Sequence, residues 1–156
     1  MAIAKGQKAP LFSLYDSDKH KTALEDFKGK NVLILFFPLA FTSVCTAELC
    51  DIRDNMASYN RVNAQVLAIS VDSLYVLNQF KAAQRLNFPL LSDFNKEVST
   101  AFDVLYETFS YEMKGVSKRA AFVLDRAGVI QYSEECTKPS DLPDFNAIQA
   151  VLDNLN

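Results

Sequence analysis

The chain has 156 residues, 49% of them hydrophobic and 22% charged, with a net charge of -3. That length suits one domain, spanning residues 1–156, with a sizeable buried core. Basic residues are scattered rather than striped, which argues against nucleic acid. No apolar run approaches a membrane span. Met1-Ala2-Ile3-Ala4-Lys5 lacks the apolar region of a signal peptide, so a soluble, cytoplasmic protein is expected.

The first polar turn, Asp16-Ser17-Asp18-Lys19-His20-Lys21, separates two short strand-like pieces. Residues 32–37 then read as a buried strand, short and β-rich between Gly29 and Pro38. Cys45, Leu49, Ile52, Met56 and Tyr59 follow at helical spacing on one face, with Thr42 as N-cap. Residues 65–71 form a second buried strand. Asp72 or Ser73 caps the next helix, whose apolar face is Val76, Leu77, Phe80 and Ala83. Residues 88–91 make a short strand, with Pro89 limiting pairing at its start. Residues 95–104 read as helix. Residues 107–117, aromatic and polar and broken by Gly115, support no single assignment. Residues 120–124 and 129–133 make a hairpin across Arg126-Ala127-Gly128. The final helix covers about 144–155, with Phe145, Ile148, Leu152 and Leu155 on one face. The order β-α-β-α-β-α-β-β-α predicts an α/β fold with a mixed sheet.

Cys45 carries the chemistry in this pattern. It falls in the first turn of a helix, where free backbone amides and the positive dipole end favour an anion. A thiolate there is a nucleophile. Other chemistries lack their residues. The four glycines, Gly6, Gly29, Gly115 and Gly128, are too far apart for a phosphate loop. His20, the only histidine, reads as a solvated turn residue, which leaves a cysteine hydrolase without a base. No CxxC or HxxxH supports zinc or a thioredoxin-type dithiol. Three cysteines in a chain of this class suggest redox chemistry rather than a disulfide framework.

Pro38-x-x-x-Thr42-x-x-Cys45 resembles the active-site signature of the peroxiredoxins, thiol peroxidases of the thioredoxin superfamily. The similarity covers nearly the whole chain. Gly6-Gln7-Lys8-Ala9-Pro10-Leu11-Phe12-Ser13-Leu14 resembles the family's N-terminal segment. Ala23-Leu24-Glu25-Asp26-Phe27-Lys28-Gly29-Lys30 resembles its lead-in to the first core strand. Ser70-Val71-Asp72-Ser73, Phe88-Pro89-Leu90-Leu91-Ser92-Asp93 and Arg119-Ala120-Ala121-Phe122-Val123-Leu124-Asp125 are similar to later blocks, in order. The resemblance implies a thioredoxin-like fold with an N-terminal β extension. It implies an antioxidant peroxidase acting on hydrogen peroxide or organic hydroperoxides, with no metal, haem or flavin. A homodimer is compatible with it.

By the same resemblance Cys45 is the peroxidatic nucleophile, Thr42 and Arg119 activate it and orient peroxide, and Pro38 shields the loop. Lys118 is read as solvent-facing. Glu48 has two readings, an orienter of the arginine or a surface helix carboxylate. Cys45-Thr46-Ala47-Glu48-Leu49-Cys50 resembles the Q-type (bacterioferritin-comigratory) class, in which the second cysteine resolves the sulfenic acid and thioredoxin or glutaredoxin is the reductant. Phe37-Pro38-Leu39-Ala40-Phe41-Thr42 and Asp141-Leu142-Pro143-Asp144-Phe145 look more like the E-type alkyl hydroperoxide reductases. Helix geometry opposes a direct Cys45–Cys50 bond. Five residues separate the two Cα atoms by about 8.6 Å and turn the side chains roughly 140° apart, so the disulfide requires unwinding. Cys50 as an inert packing residue, a one-cysteine enzyme recycled by an external thiol, and a redox sensor or relay stay open beside the two-cysteine reading. Cys136 is read as a bland thiol, with a resolving or intermolecular role as the alternative.

Overall fold

The computed structural model describes residues 2–155. Its strands are β1 (Ser13–Asp16), β2 (Lys21–Ala23), β3 (Asn31–Phe36), β4 (Ala64–Ser70), β5 (Leu90–Ser92), β6 (Ala120–Leu124) and β7 (Ile130–Glu135). Its helices are α1 (Ser43–Asp54), α2 (Met56–Arg61), α3 (Leu74–Gln84), α4 (Glu97–Ala101) and α5 (Phe145–Asn154). The strands form one mixed sheet in the order β2-β1-β5-β4-β3-β6-β7. β3, β4 and β5 run parallel, while β6 lies antiparallel to β3 and the β1–β2 hairpin extends the sheet through β5. This is the expected α/β architecture with its N-terminal β extension.

β3 is buried along its whole length because both sheet faces are covered. Leu33 and Leu35 face one core cluster with Cys45, Leu49, Ile52, Phe80 and Ile148. Val32, Ile34 and Phe36 face the other, with Leu24, Phe102 and Phe122. The continuous apolar run that marks this strand in the sequence is therefore two alternating half-runs, one for each side.

Several boundaries depart from the sequence reading. The helix expected to carry Cys45 through Tyr59 breaks at Asn55, so Met56 and Tyr59 belong to α2. The Asn55 amide side chain donates to the Asp51 carbonyl at 2.9 Å, the local competition with helix bonding that asparagine supplies. Thr42 is the N-cap by position, but its side chain makes no cap bond. The expected second strand stops at Ser70. Ser73 caps α3, accepting from the Val76 amide at 3.2 Å, and Asp72 is used elsewhere. Leu77 and Phe80 are the buried face of α3, whereas Val76 and Ala83 lie on the solvent side. The short strand begins after Pro89, at Leu90. The helix expected over 95–104 shrinks to Glu97–Ala101, with the Asp93 carboxylate accepting from the Val98 and Ser99 amides. β7 continues past Ser133 to Glu135, and a bulge at Val123/Leu124 absorbs the register shift.

Candidate active site

The carboxyl end of β3 and the amino end of β6 meet through register. Phe36 pairs with Ala120, which sets Arg119 beside the turn that leaves β3 at Phe37 and Pro38. Side chains alternate along β6, so Arg119 shares the face of Ala121 and Val123, the face that packs α1. The Cys45 thiol is 1% exposed and Arg119 only 2%. Both terminal guanidinium nitrogens donate to the Cys45 sulfur, at 3.4 Å each. The guanidinium is itself held from two sides. Its Nη1 donates to Glu48 Oε1 at 2.7 Å and its Nη2 to the Pro139 carbonyl at 3.1 Å.

Glu48 is fully buried on α1, one turn beyond Cys45, so it is the arginine's partner and not a surface carboxylate. Burial pushes its carboxyl up to about 7, against the pull of Arg119. Its second oxygen and the Arg119 Nε have no hydrogen-bond partner among the described residues. Burial works against the Arg119 charge, but Glu48 and Cys45 outweigh it, so the guanidinium is held protonated more firmly than usual.

Pro38, Thr42, Ser43, Val44, Phe109, Pro139 and Ser140 join Cys45 and Arg119 around a hollow of about 210 Å³. The Thr42 hydroxyl donates to the Leu39 carbonyl at 2.7 Å. Its proton is therefore committed, and its oxygen keeps lone pairs with which it can accept. The Thr42 carbonyl takes the first helical bond, from the Thr46 amide at 2.9 Å. The amides of Ser43, Val44 and Cys45 precede any intrahelical acceptor, so this end of α1 offers donors to an anion. Pro38 is buried, and no N–H of its own competes for the sulfur.

The loop is pinned from the β4–α3 corner. Asp72 Oδ2 accepts from the Ala40 amide at 2.8 Å and from the Ser70 hydroxyl at 2.7 Å. Phe41 holds a left-handed backbone (φ 67°) and lays its ring edge-on to Phe80 at 5.0 Å. That conformation costs a non-glycine residue about 1–2 kcal/mol, and the two anchors offset it. Sequence reasoning missed Asp72, Phe109 and the Pro139 carbonyl. Asp72 could have been found as an acid directly after a buried strand; nothing local marks the other two.

The remaining candidates lie apart from the hollow. Cys50 is half-buried on the far side of α1, and its thiol donates to Gln84 Oε1 at 3.5 Å. All three cysteines are free thiols. Cys136 is buried where β7 ends, its amide donating to the Arg119 carbonyl at 2.9 Å. Burial, with Glu134 and Glu48, pushes its thiol up to about 12. Lys118 is not simply solvent-facing: it pairs with Glu135 at 3.3 Å and sits over the Tyr106 ring. His20 is exposed in its turn. Among the described residues no group of His, Cys, Asp or Glu gathers as a metal site, and no helix is long and apolar enough to cross a membrane.

The model of the AhpC/TSA family matches residues 5–133, which hold most of the sheet and carry Pro38, Thr42, Cys45, Glu48 and Arg119. The chain belongs to the AhpC/TSA family. It is 37% identical over 140 residues to peroxiredoxin Bcp of Escherichia coli, covering 89% of this chain and 90% of that protein. It is 38% identical over 132 residues to alkyl hydroperoxide reductase E of Mycobacterium tuberculosis, covering 83% of each. A crystal structure of peroxidoxin BcpB from Mycobacterium tuberculosis superposes with a TM-score of 0.88 at 25% identity, covering 99% of both chains. These likenesses put the chain among the peroxiredoxins of the Q-type, or Bcp, class, and its thioredoxin-like fold agrees.

Proposed function

We propose that this AhpC/TSA protein is a thiol-dependent peroxidase that reduces hydrogen peroxide and organic hydroperoxides at Cys45. The observation that carries the reading is the pair of Arg119 N–H groups at 3.4 Å from a buried sulfur. A cation so placed lies against the attacking sulfur and meets the charge that develops on the departing oxygen. The thiolate attacks one oxygen of ROOH, and the O–O bond breaks. The attacked oxygen stays as Cys45 sulfenic acid, and the other leaves as ROH after taking a proton. Thr42 Oγ accepts from the peroxide O–H, which aligns the O–O bond with the sulfur. Pro38 keeps one wall of the hollow dry. Residues 1–156 act as one domain in this reading, and a cytoplasmic setting, which keeps thiols reduced, suits it.

Cys50 then resolves. Its sulfur attacks the sulfenic sulfur, giving the Cys45–Cys50 disulfide and water, and thioredoxin or glutaredoxin reduces the disulfide. Both cysteines lie inside one intact helix, so the bond requires local unwinding over residues 42–51. That same intact helix favours, as the second reading, a one-cysteine enzyme recycled by an external thiol at Cys45. A sensor or relay differs from both in lacking steady turnover with a reductase system.

One experiment separates these outcomes. Reduced protein is treated with one equivalent of peroxide, then mapped by non-reducing peptide analysis and amide hydrogen exchange. The two-cysteine reading expects a Cys45–Cys50 peptide and newly exchanging amides over residues 42–51. A persistent sulfenic acid with Cys50 free supports the one-cysteine enzyme. Cys45→Ser consuming peroxide as fast as the parent protein would sink the peroxidase assignment itself.

A further inference from the structure

The C-terminal half of α1 is fastened to the end of α3. The Arg53 Nη1 donates to the Gln84 carbonyl, and Asn87 Nδ2 returns a bond to the Arg53 carbonyl at 3.3 Å. Between these backbone ties, the Gln84 side chain takes the Cys50 thiol proton on Oε1 at 3.5 Å. The Arg53 guanidinium lies within electrostatic range of the same sulfur. Gln84 is half-buried and remote from the hollow that holds Cys45. Its contact with Cys50 has no part in peroxide cleavage.

We propose that Gln84 is a positioning residue for the second half-reaction, holding Cys50 on the α3 side of the helix and so setting how long the Cys45 sulfenic acid survives. The inference rests on Cys50 being the resolving thiol. Resolution joins Cys45–SOH and Cys50–SH into the disulfide and releases water. The S–O bond of the sulfenic acid breaks, and the departing hydroxide takes the Cys50 proton. That proton is the one engaged by Gln84 Oε1. The contact therefore acts twice. It must break before the sulfur can swing through the roughly 140° that separates it from Cys45, and before the thiol can become a nucleophile. The ties at Arg53 and Asn87 survive this movement because they lie beyond the stretch that must unwind. α1 thus opens from its Cys45 end while its other end stays docked on α3.

The physiological consequence is a window for a second peroxide. While Cys50 is held, the sulfenic acid is exposed to further oxidation to sulfinic acid. Weakening the contact should shorten that window, and strengthening it should lengthen it. Gln84→Leu removes the acceptor at similar size. Losing this one weak hydrogen bond speeds disulfide formation about threefold to fivefold. Gln84→Glu keeps an acceptor and makes it charged, which roughly doubles the strength of such a bond, so resolution slows by a similar factor.

The test is rapid-quench oxidation of the parent protein and both variants with hydrogen peroxide. Mass spectrometry follows sulfenic acid, disulfide and sulfinic acid at Cys45. Melting curves of the reduced proteins check that each variant is folded. The expected result is opposite movement: less sulfinic acid and faster disulfide in Gln84→Leu, more sulfinic acid and slower disulfide in Gln84→Glu. Loosened packing alone would shift both variants the same way. Equal disulfide rates in all three proteins, or a shift of one sign in both variants, overturns the role of Gln84 and leaves the peroxidase reading intact. Absence of any Cys45–Cys50 disulfide in the parent protein overturns the two-cysteine reading and this inference together.

Discussion

Replacing Arg119 with methionine separates what the arginine does for chemistry from what it does for the fold. Methionine keeps most of the volume and removes both donors to the Cys45 sulfur. Hydrogen bonds to charged groups contribute about 1.5–3 kcal/mol each. The two are long, so the lower end applies, and their joint loss is about 3 kcal/mol. At 1.36 kcal/mol per decade, the second-order reaction with peroxide should slow about a hundredfold. Stability should fall as well, because Glu48, 0% exposed, loses the Arg119 guanidinium it pairs with. Breaking a buried pair from one side costs about 3–5 kcal/mol. The Glu48 carboxyl, already up at about 7, can relieve part of this by keeping a proton. The double variant Arg119→Met/Glu48→Gln should therefore recover stability without recovering rate. Stopped-flow peroxide kinetics and urea unfolding of the single and double variants read the two quantities independently. Lys118→Met is the control. That side chain pairs with Glu135 and touches neither Cys45 nor Glu48, so its rate should change less than about twofold. A loss of less than about threefold in Arg119→Met, or a rate restored in the double variant, would refute the reasoning.

Glu48 also sets a pH dependence of stability. Its carboxyl is raised from 4.5 to about 7, so between those values the folded protein keeps a proton that the unfolded chain has released. Its contribution to stability is full below pH 4.5 and is lost as pH rises through 7, a swing of about 3 kcal/mol. Urea melts at pH 5 and pH 8 should show a larger difference in the parent protein than in Glu48→Gln, and equal differences would contradict the assignment. Cys136, whose thiol is pushed up to about 12, should be the slowest cysteine to alkylate at pH 8. Cys136→Ser should consume peroxide at close to the parent rate, and a Cys45–Cys136 cross-linked peptide would reject that reading.

Local sequence was enough to determine the alternation of elements and to single out Cys45 as the candidate nucleophile. A buried β-rich run, a proline, a threonine and a cysteine opening a helical period are all encoded within about fifteen neighbouring residues, and each acts through short-range geometry. Local patterning failed where side chains compete with the backbone. Asn55 broke a periodicity that otherwise runs on to Tyr59, and Asp93 shortened the helix after β5 by capping it from outside. The tertiary structure alone decided the rest of the site, because its partners are far apart in the chain. The β3–β6 register brings Arg119 to Cys45 across 74 residues. Asp72 reaches the Ala40 amide across 32 residues, and Gln84 reaches Cys50 across 34. Glu48 could be a solvated helix carboxylate or a buried arginine partner until packing removed it from water. No pattern within α1 distinguishes those two fates, since burial belongs to what covers the helix.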